Sequence, residues 1–341
     1  MPNRSPYFIQ LTRNPMNAFI PALIFALWIN PAGQEKSIPA LYKSRPGPYR
    51  LKTVETFMLH DARRGKDLPL RITFPDSGQH FPVIIWSHGA LGSKDNYQPL
   101  IRRWASWGYV CIQPTHEDSW KWLGWRALLN RKQIWRKWPT RPADISLVID
   151  SLVVLAKRVP GLEGKMDRHT IGVGGHSFGA HTAQLIGGAA LQGPGRGKKH
   201  RFSDDRPRAI LLISPQGTGD GFTPASWKEM KRPVMVITGT NDTSPRNGKS
   251  YSWRTEVYRY APPGDKFLII IKGAYHGFGG IAGARRFKGS GPQNPQQVAM
   301  VQAATLAFWD AYLRDDAAAR LYLKNKSLVE ATAGAIEMKI K

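Results

Sequence analysis

The run Ile171-Gly172-Val173-Gly174-Gly175-His176-Ser177-Phe178-Gly179-Ala180 decides how the rest of the chain is read. Its first four residues read as the end of a buried strand, and residues 177–185 read as a helix. Gly175-His176-Ser177-Phe178-Gly179 therefore lies on a tight strand-to-helix turn that holds the serine hydroxyl exposed. Glycine is required on both sides because larger side chains there would collide with neighbouring backbone.

Working outward, near-continuous apolar runs recur at 82–86, 109–112, 209–213, 233–237 and 267–271, as sheets covered on both faces require. Helices are expected over 97–107, 142–156, 177–185 and 295–313, with Pro142 near a start and Gly108 just past an end. Residues 53–59 and 68–74 read as an antiparallel opening pair. The fold class is α/β: a mostly parallel central sheet with an antiparallel N-terminal pair and helices on both faces. No internal repeat or second domain is visible. Ligands of such sheets sit beyond the carboxyl ends of the strands, so the residues just after each strand are the candidates for chemistry.

Composition narrows the class further. The chain has 341 residues, 42% of them hydrophobic and 21% charged, which suits a substantial core and excludes general disorder, a collagen-like chain or a coiled coil. Forty-nine Lys and Arg against 24 Asp and Glu give a net charge of +25, which calls for acidic surroundings or partners. The single cysteine, Cys111, falls in a buried strand, which leaves no disulfide scaffold, cysteine nucleophile or thiolate metal site. Arg4 and Arg13 precede an apolar run over 18–29 that ends at Asn30-Pro31-Ala32-Gly33. Residues 1–32 are expected to be a signal peptide or N-terminal anchor, so the protein is read as periplasmic, secreted or membrane-anchored, with a cytoplasmic location as the alternative. That segment carries two Arg and no acid, so the basic character belongs to the body.

A serine hydroxyl is a weak nucleophile and needs a histidine base oriented by a carboxylate, in the chain order serine, acid, histidine. His181, His200 and His276 follow Ser177. His181 lies one turn along the same helix and is expected to pack locally, and His200 lies in a polar loop. His276, in Lys272-Gly273-Ala274-Tyr275-His276-Gly277-Phe278-Gly279-Gly280, stands directly beyond the last apolar strand and is the expected base. Asp242, in Thr238-Gly239-Thr240-Asn241-Asp242-Thr243-Ser244-Pro245, is the expected acid. Asp220, beyond the strand before, is the alternative, and Asp204 and Asp205 read as loop charges. Charge developing on an acyl carbonyl oxygen calls for two backbone N–H donors, expected from Phe178 and from Ala90 in Trp86-Ser87-His88-Gly89-Ala90-Leu91-Gly92. His88 is expected to brace that loop.

These segments, together with residues 63–75 and Ser214-Pro215-Gln216-Gly217, resemble the α/β-hydrolase superfamily. More narrowly, they resemble the predicted dienelactone hydrolases and the related platelet-activating-factor acetylhydrolase and polyester-hydrolase group. The resemblance spans about residues 50–314 and leaves 315–341 as a C-terminal extension. It implies a serine carboxylic-ester hydrolase with Ser177, Asp242 and His276 as triad and Phe178 and Ala90 as oxyanion donors. Ser177 stands where true dienelactone hydrolases carry a cysteine.

From His116 to Arg141 the sequence packs five tryptophans, Trp120, Trp122, Trp125, Trp135 and Trp138, among seven Lys or Arg. Interleaved indole and basic groups suit an anionic membrane or polymer surface, or an aromatic wall for a bulky acyl group; a helix packing its tryptophans on the body is the plainer reading. No zinc spacing, helix-turn-helix or RNA-binding signature accompanies the charge, so no specific nucleic-acid partner is expected. No metal or cofactor is expected either. The sequence thus leads to an esterase acting on a small-molecule or lipid ester, with a catalytically silent binding protein of the same fold as the alternative.

Overall fold

A computed structural model describes residues 40–124, 139–192, 199–284, 287 and 289–341. In chain order the strands are β1 (Leu51–Asp61), β2 (Lys66–Pro75), β3 (Phe81–Ser87), β4 (Val110–Pro114), β5 (Met166–His176), β6 (Leu191–Gln192), β7 (Lys199–His200), β8 (Pro207–Ile213), β9 (Val234–Asn241), β10 (Lys266–Tyr275) and β11 (Ile336–Ile340). β6 and β7 pair with each other, and the other nine form one sheet in the order β1-β2-β4-β3-β5-β8-β9-β10-β11. From β4 to β10 every neighbouring pair is parallel. The β1/β2, β2/β4 and β10/β11 pairings are antiparallel.

The helices are α1 (Gln98–Ser106), α2 (Trp120–Leu123), α3 (Thr140–Asp150), α4 (Leu152–Arg158), α5 (Phe178–Ile186), α6 (Tyr251–Arg254), α7 (Glu256–Tyr260), α8 (Pro295–Leu313), α9 (Ala317–Lys324) and α10 (Ser327–Glu330). Among the described residues no helix is long and apolar enough to cross a membrane. Residues 1–32, read as a signal or anchor, lie outside the described residues.

Alternation along the strands sends successive side chains to opposite faces and so builds two cores. Val83, Ile85, Val173, Ile210, Leu212 and Val236 join one core, with Ile145 and Val148 of α3 and Ala180 and Ala183 of α5. Ile84, Trp86, Leu211, Ile213, Met235 and Ile237 join the other, with Leu100 and Trp104 of α1 and Phe308 and Trp309 of α8. Both faces of the sheet are thus covered, which explains why its central strands read as continuous apolar runs. Cys111 is fully buried in the second core, and burial pushes its thiol well above the usual range.

Two expectations change in detail. The helix expected over 142–156 is two helices, because Ser151 (φ −93°, ψ 1°) leaves helical geometry between α3 and α4. The first begins at Thr140, since Pro142 still falls in the opening turn, where a backbone N–H has no carbonyl to meet. A further strand, β11, joins the sheet at its far edge through β10.

β3 pairs with β4 on one side and β5 on the other, so the chain order reverses direction across β3. The crevice beyond the carboxyl ends of β3 and β5 is the topological switch point of the sheet. Ser87-His88-Gly89-Ala90 leaves β3 there, and Ser177 follows β5.

Candidate active site

Ser177 sits between β5 and α5 at φ 56°, ψ −118°, a backbone state that an L-residue adopts only under constraint. Its N–H donates to the Ile213 carbonyl oxygen at 2.9 Å. The flanking glycines are sterically obligatory: a Cβ on Gly175 would lie 2.3 Å from the Gly179 carbonyl, and one on Gly179 would lie 1.9 Å from the Ser87 carbonyl oxygen. The elbow is therefore clamped between its own helix and the end of β3.

The structure brings Ser177, His276 and Asp242 together. Ser177 Oγ lies 2.9 Å from His276 Nε2, and His276 Nδ1 lies 2.7 Å from Asp242 Oδ1. A carboxylate accepts only, so Nδ1 carries the proton and Nε2 is left to accept from the serine hydroxyl. Thr238 Oγ1 donates to Asp242 Oδ2 at 3.0 Å, and the Ser214 hydroxyl donates to the same oxygen. Burial opposes the charge on Asp242, yet Arg254, His276 and the Ser214 hydroxyl bring its carboxyl down to about 2. His276 is held below the usual histidine range by burial, with Asp242 opposing and Arg254 adding to the effect. At neutral pH the pair is an ionised acid beside an unprotonated imidazole, able to take a proton from Ser177 Oγ.

Asp220 is not part of this arrangement. It sits on an exposed turn and holds Arg246 through two hydrogen bonds of 2.5 and 3.0 Å. His181 packs its ring on Phe178 and Phe222, 5.7 and 5.1 Å between centroids, and burial brings it down to about 3. His200 lies on β7 with its side chain exposed.

The loop after β3 is held from behind by a buried cation. Arg141, in the first turn of α3, is fully buried and pairs with Asp118 through two bonds of 2.8 Å. It also donates to the carbonyl oxygens of His88 at 2.7 Å and Gly89 at 3.3 Å. His88 Nδ1–H donates to that same Gly89 oxygen at 2.7 Å, while His88 Nε2 accepts from the His116 N–H at 3.0 Å. With the Gly89 carbonyl drawn toward Arg141 and His88, the Ala90 N–H of the same planar trans peptide points the opposite way. Gly89 passes close to the elbow, since a Cβ on it would lie 3.6 Å from Ser177 Cβ. Phe178, the other expected donor, opens α5 directly after Ser177, and the Arg141 guanidinium lies 4.4 Å above its ring.

Beneath the loop lies a second set of the same residue types. Ser87 Oγ is 2.9 Å from His116 Nε2, and His116 Nδ1 is 2.8 Å from Asp144 Oδ2. All three are fully buried, so this set braces the loop and cannot meet a substrate.

Sequence reasoning missed Arg141, Ser214, Arg254 and Tyr97, whose hydroxyl lies 2.9 Å from His176 Nδ1 and accepts from the Gly89 N–H at 3.1 Å. Ser214 stands just beyond β8 and meets the strand-end criterion. The others come from helices or a helix cap, and nothing in their spacing marks them. Of the tryptophan-rich stretch, Trp120 is partly buried, its backbone N–H donating to the Leu91 carbonyl oxygen at 3.2 Å, and Trp122 is 54% exposed. This puts α2 beside the Ala90 loop. Trp125, Trp135 and Trp138 lie outside the described residues. Among the described residues no cluster of His, Cys, Asp and Glu could hold a metal ion. Comparison with family models and with curated protein sequences returned no match.

Proposed function

We propose that this chain is a serine carboxylic-ester hydrolase of the α/β-hydrolase fold. The observation that carries the reading is the continuous Ser177–His276–Asp242 hydrogen-bond chain, set on a constrained strand-to-helix turn at the switch point of the sheet. Ser177 Oγ attacks the ester carbonyl carbon while its proton passes to His276 Nε2. The oxyanion meets the N–H groups of Phe178 and Ala90. His276 then gives the proton to the departing alkoxide, which leaves an acyl group on Ser177. Water, deprotonated by the same nitrogen, then adds to the acyl carbon; the bond to Ser177 Oγ breaks, His276 returns the proton to Oγ, and the free acid leaves. Asp242 fixes the imidazole tautomer and stabilises the imidazolium. Esters are favoured over amides because an alkoxide leaves more easily.

The Trp120 and Trp122 side, with its neighbouring basic residues, is the expected contact for a lipid ester or an anionic surface. The basic-then-apolar start of the sequence supports export or membrane anchoring. The test is hydrolysis of short-chain p-nitrophenyl esters by the purified protein. Turnover by the wild-type chain, and a loss of at least about a thousandfold in Ser177→Ala, supports the reading. A Ser177→Ala variant as active as wild type refutes it.

A further inference from the structure

The acid of the Ser177–His276–Asp242 chain is not alone. Arg254, the last residue of α6, is 1% exposed. Its Nε lies 3.0 Å from Asp242 Oδ2 and donates to the Asp242 carbonyl oxygen at 3.1 Å. Its Nη1 donates to the carbonyl oxygens of Ser214 at 2.9 Å and Pro215 at 3.1 Å, and Nη2 reaches to 3.4 Å from His276 Nδ1. His276 Nδ1 already donates to Asp242, so that last contact sets two N–H groups side by side. It is a fixed positive charge against the ring, not a bond. The other groups facing His276 are His176 at the end of β5, 4.7 Å between ring centroids and kept unprotonated by burial, and the hydroxyls of Ser177 and Ser214.

An ionised acid beside a histidine stabilises the imidazolium and so raises the pH at which the base becomes protonated. Here a permanent cation neutralises that acid from its other side and also touches the ring. We propose, resting on the ester-hydrolase reading, that Arg254 is a positioning residue that sets the working pH range of the site, keeping His276 an unprotonated base into more acidic solution than an Asp–His pair alone would allow. The same charge makes the imidazolium formed after proton transfer a stronger acid toward the leaving alkoxide.

The test is a titration of His276 by NMR of histidine-labelled protein, paired with the acid limb of kcat/KM on a p-nitrophenyl ester. Arg254→Gln keeps a donor and removes the charge. Arg254→Met is a second neutral variant of similar length, should Gln fail to fold. Either neutral variant should move both the His276 titration and the acid limb upward by about one pH unit or more, as expected for deleting a unit charge at this range. Arg254→Lys should return both toward wild type. A folded neutral variant with unshifted His276 titration overturns the proposal. Absence of ester hydrolysis by wild type would instead overturn the functional reading, and the NMR titration would still decide the role of Arg254.

Discussion

Tyr97 and His176 each make two hydrogen bonds whose directions are forced. His176 Nε2 meets the His276 carbonyl oxygen at 2.9 Å and must donate to it. Burial keeps the ring neutral, so Nδ1 accepts, and the Tyr97 hydroxyl 2.9 Å away is its donor. That hydroxyl in turn accepts from the Gly89 N–H at 3.1 Å. One directed chain thus ties the loop after β3 to the residue before Ser177 and to the backbone of the base. Tyr97→Phe removes the middle link and leaves a buried N–H and a ring nitrogen without partners, a loss of about 1–3 kcal/mol. Because the displaced loop would meet charge only in the transition state, kcat on a small ester should fall about 10- to 100-fold with KM within about threefold. A raised KM with unchanged kcat would show that Tyr97 serves substrate binding instead.

At the scale of elements, the strands were legible because both faces of the sheet are covered, and a strand buried on both faces has no choice but an apolar run. β3 is buried along its whole length, and β8 is buried apart from Arg208. Ser177, Asp242 and His276 were legible for a related reason: each follows a strand at its carboxyl end, so locating the strands located them. The choice of Asp242 over Asp220 rested on the same context. What separates the two in the structure is that one carboxylate points into Thr238, Ser214 and His276 while the other sits on the solvent side with Arg246. β11 was illegible because Ile336-Glu337-Met338-Lys339-Ile340 is short and half exposed, and its alternation is carried by a single edge pairing. Tyr97, Arg141 and Arg254 were illegible because their roles depend on where α1, α3 and α6 pack, which no local pattern encodes. Arg141 shows this most plainly: it reads as one more basic residue of a charged stretch, yet it is fully buried behind the loop that carries Gly89.

For the molecule as a whole, some basic residues are matched to carboxylates around the site, where their charges cancel, so the net charge of +25 comes from the others. Arg141 with Asp118, Arg254 with Asp242, and Lys66 and Arg64 with Asp144 hold cations on buried carboxylates around the site. The buried histidines His88, His116, His176, His181 and His276 are all held below their usual range, in each case chiefly by burial. Below about pH 6.5 each binds a proton more readily in the unfolded chain than in the fold, so stability falls with pH by up to about 1.4 kcal/mol per unit per group. Asp144 and Asp242, both brought down to about 2 against the effect of burial, add a loss of the same sign below the ordinary carboxylate range. The melting temperature should therefore drop by at least about 5 °C between pH 7 and pH 5, followed by circular dichroism. A melting temperature that holds or rises over that interval would contradict the assignment of these histidines as buried and neutral.

The claim on which the account turns is that Ser177 Oγ is an activated nucleophile open to substrate. Treating the folded protein with a fluorophosphonate, digesting it and mapping the modified peptide by mass spectrometry addresses that claim without any assumption about the natural ester. The account predicts one phosphonyl group per chain, on Ser177, and none on heat-denatured protein or on Ser177→Ala. A folded chain that takes up no label, or takes it up at another residue, would contradict it.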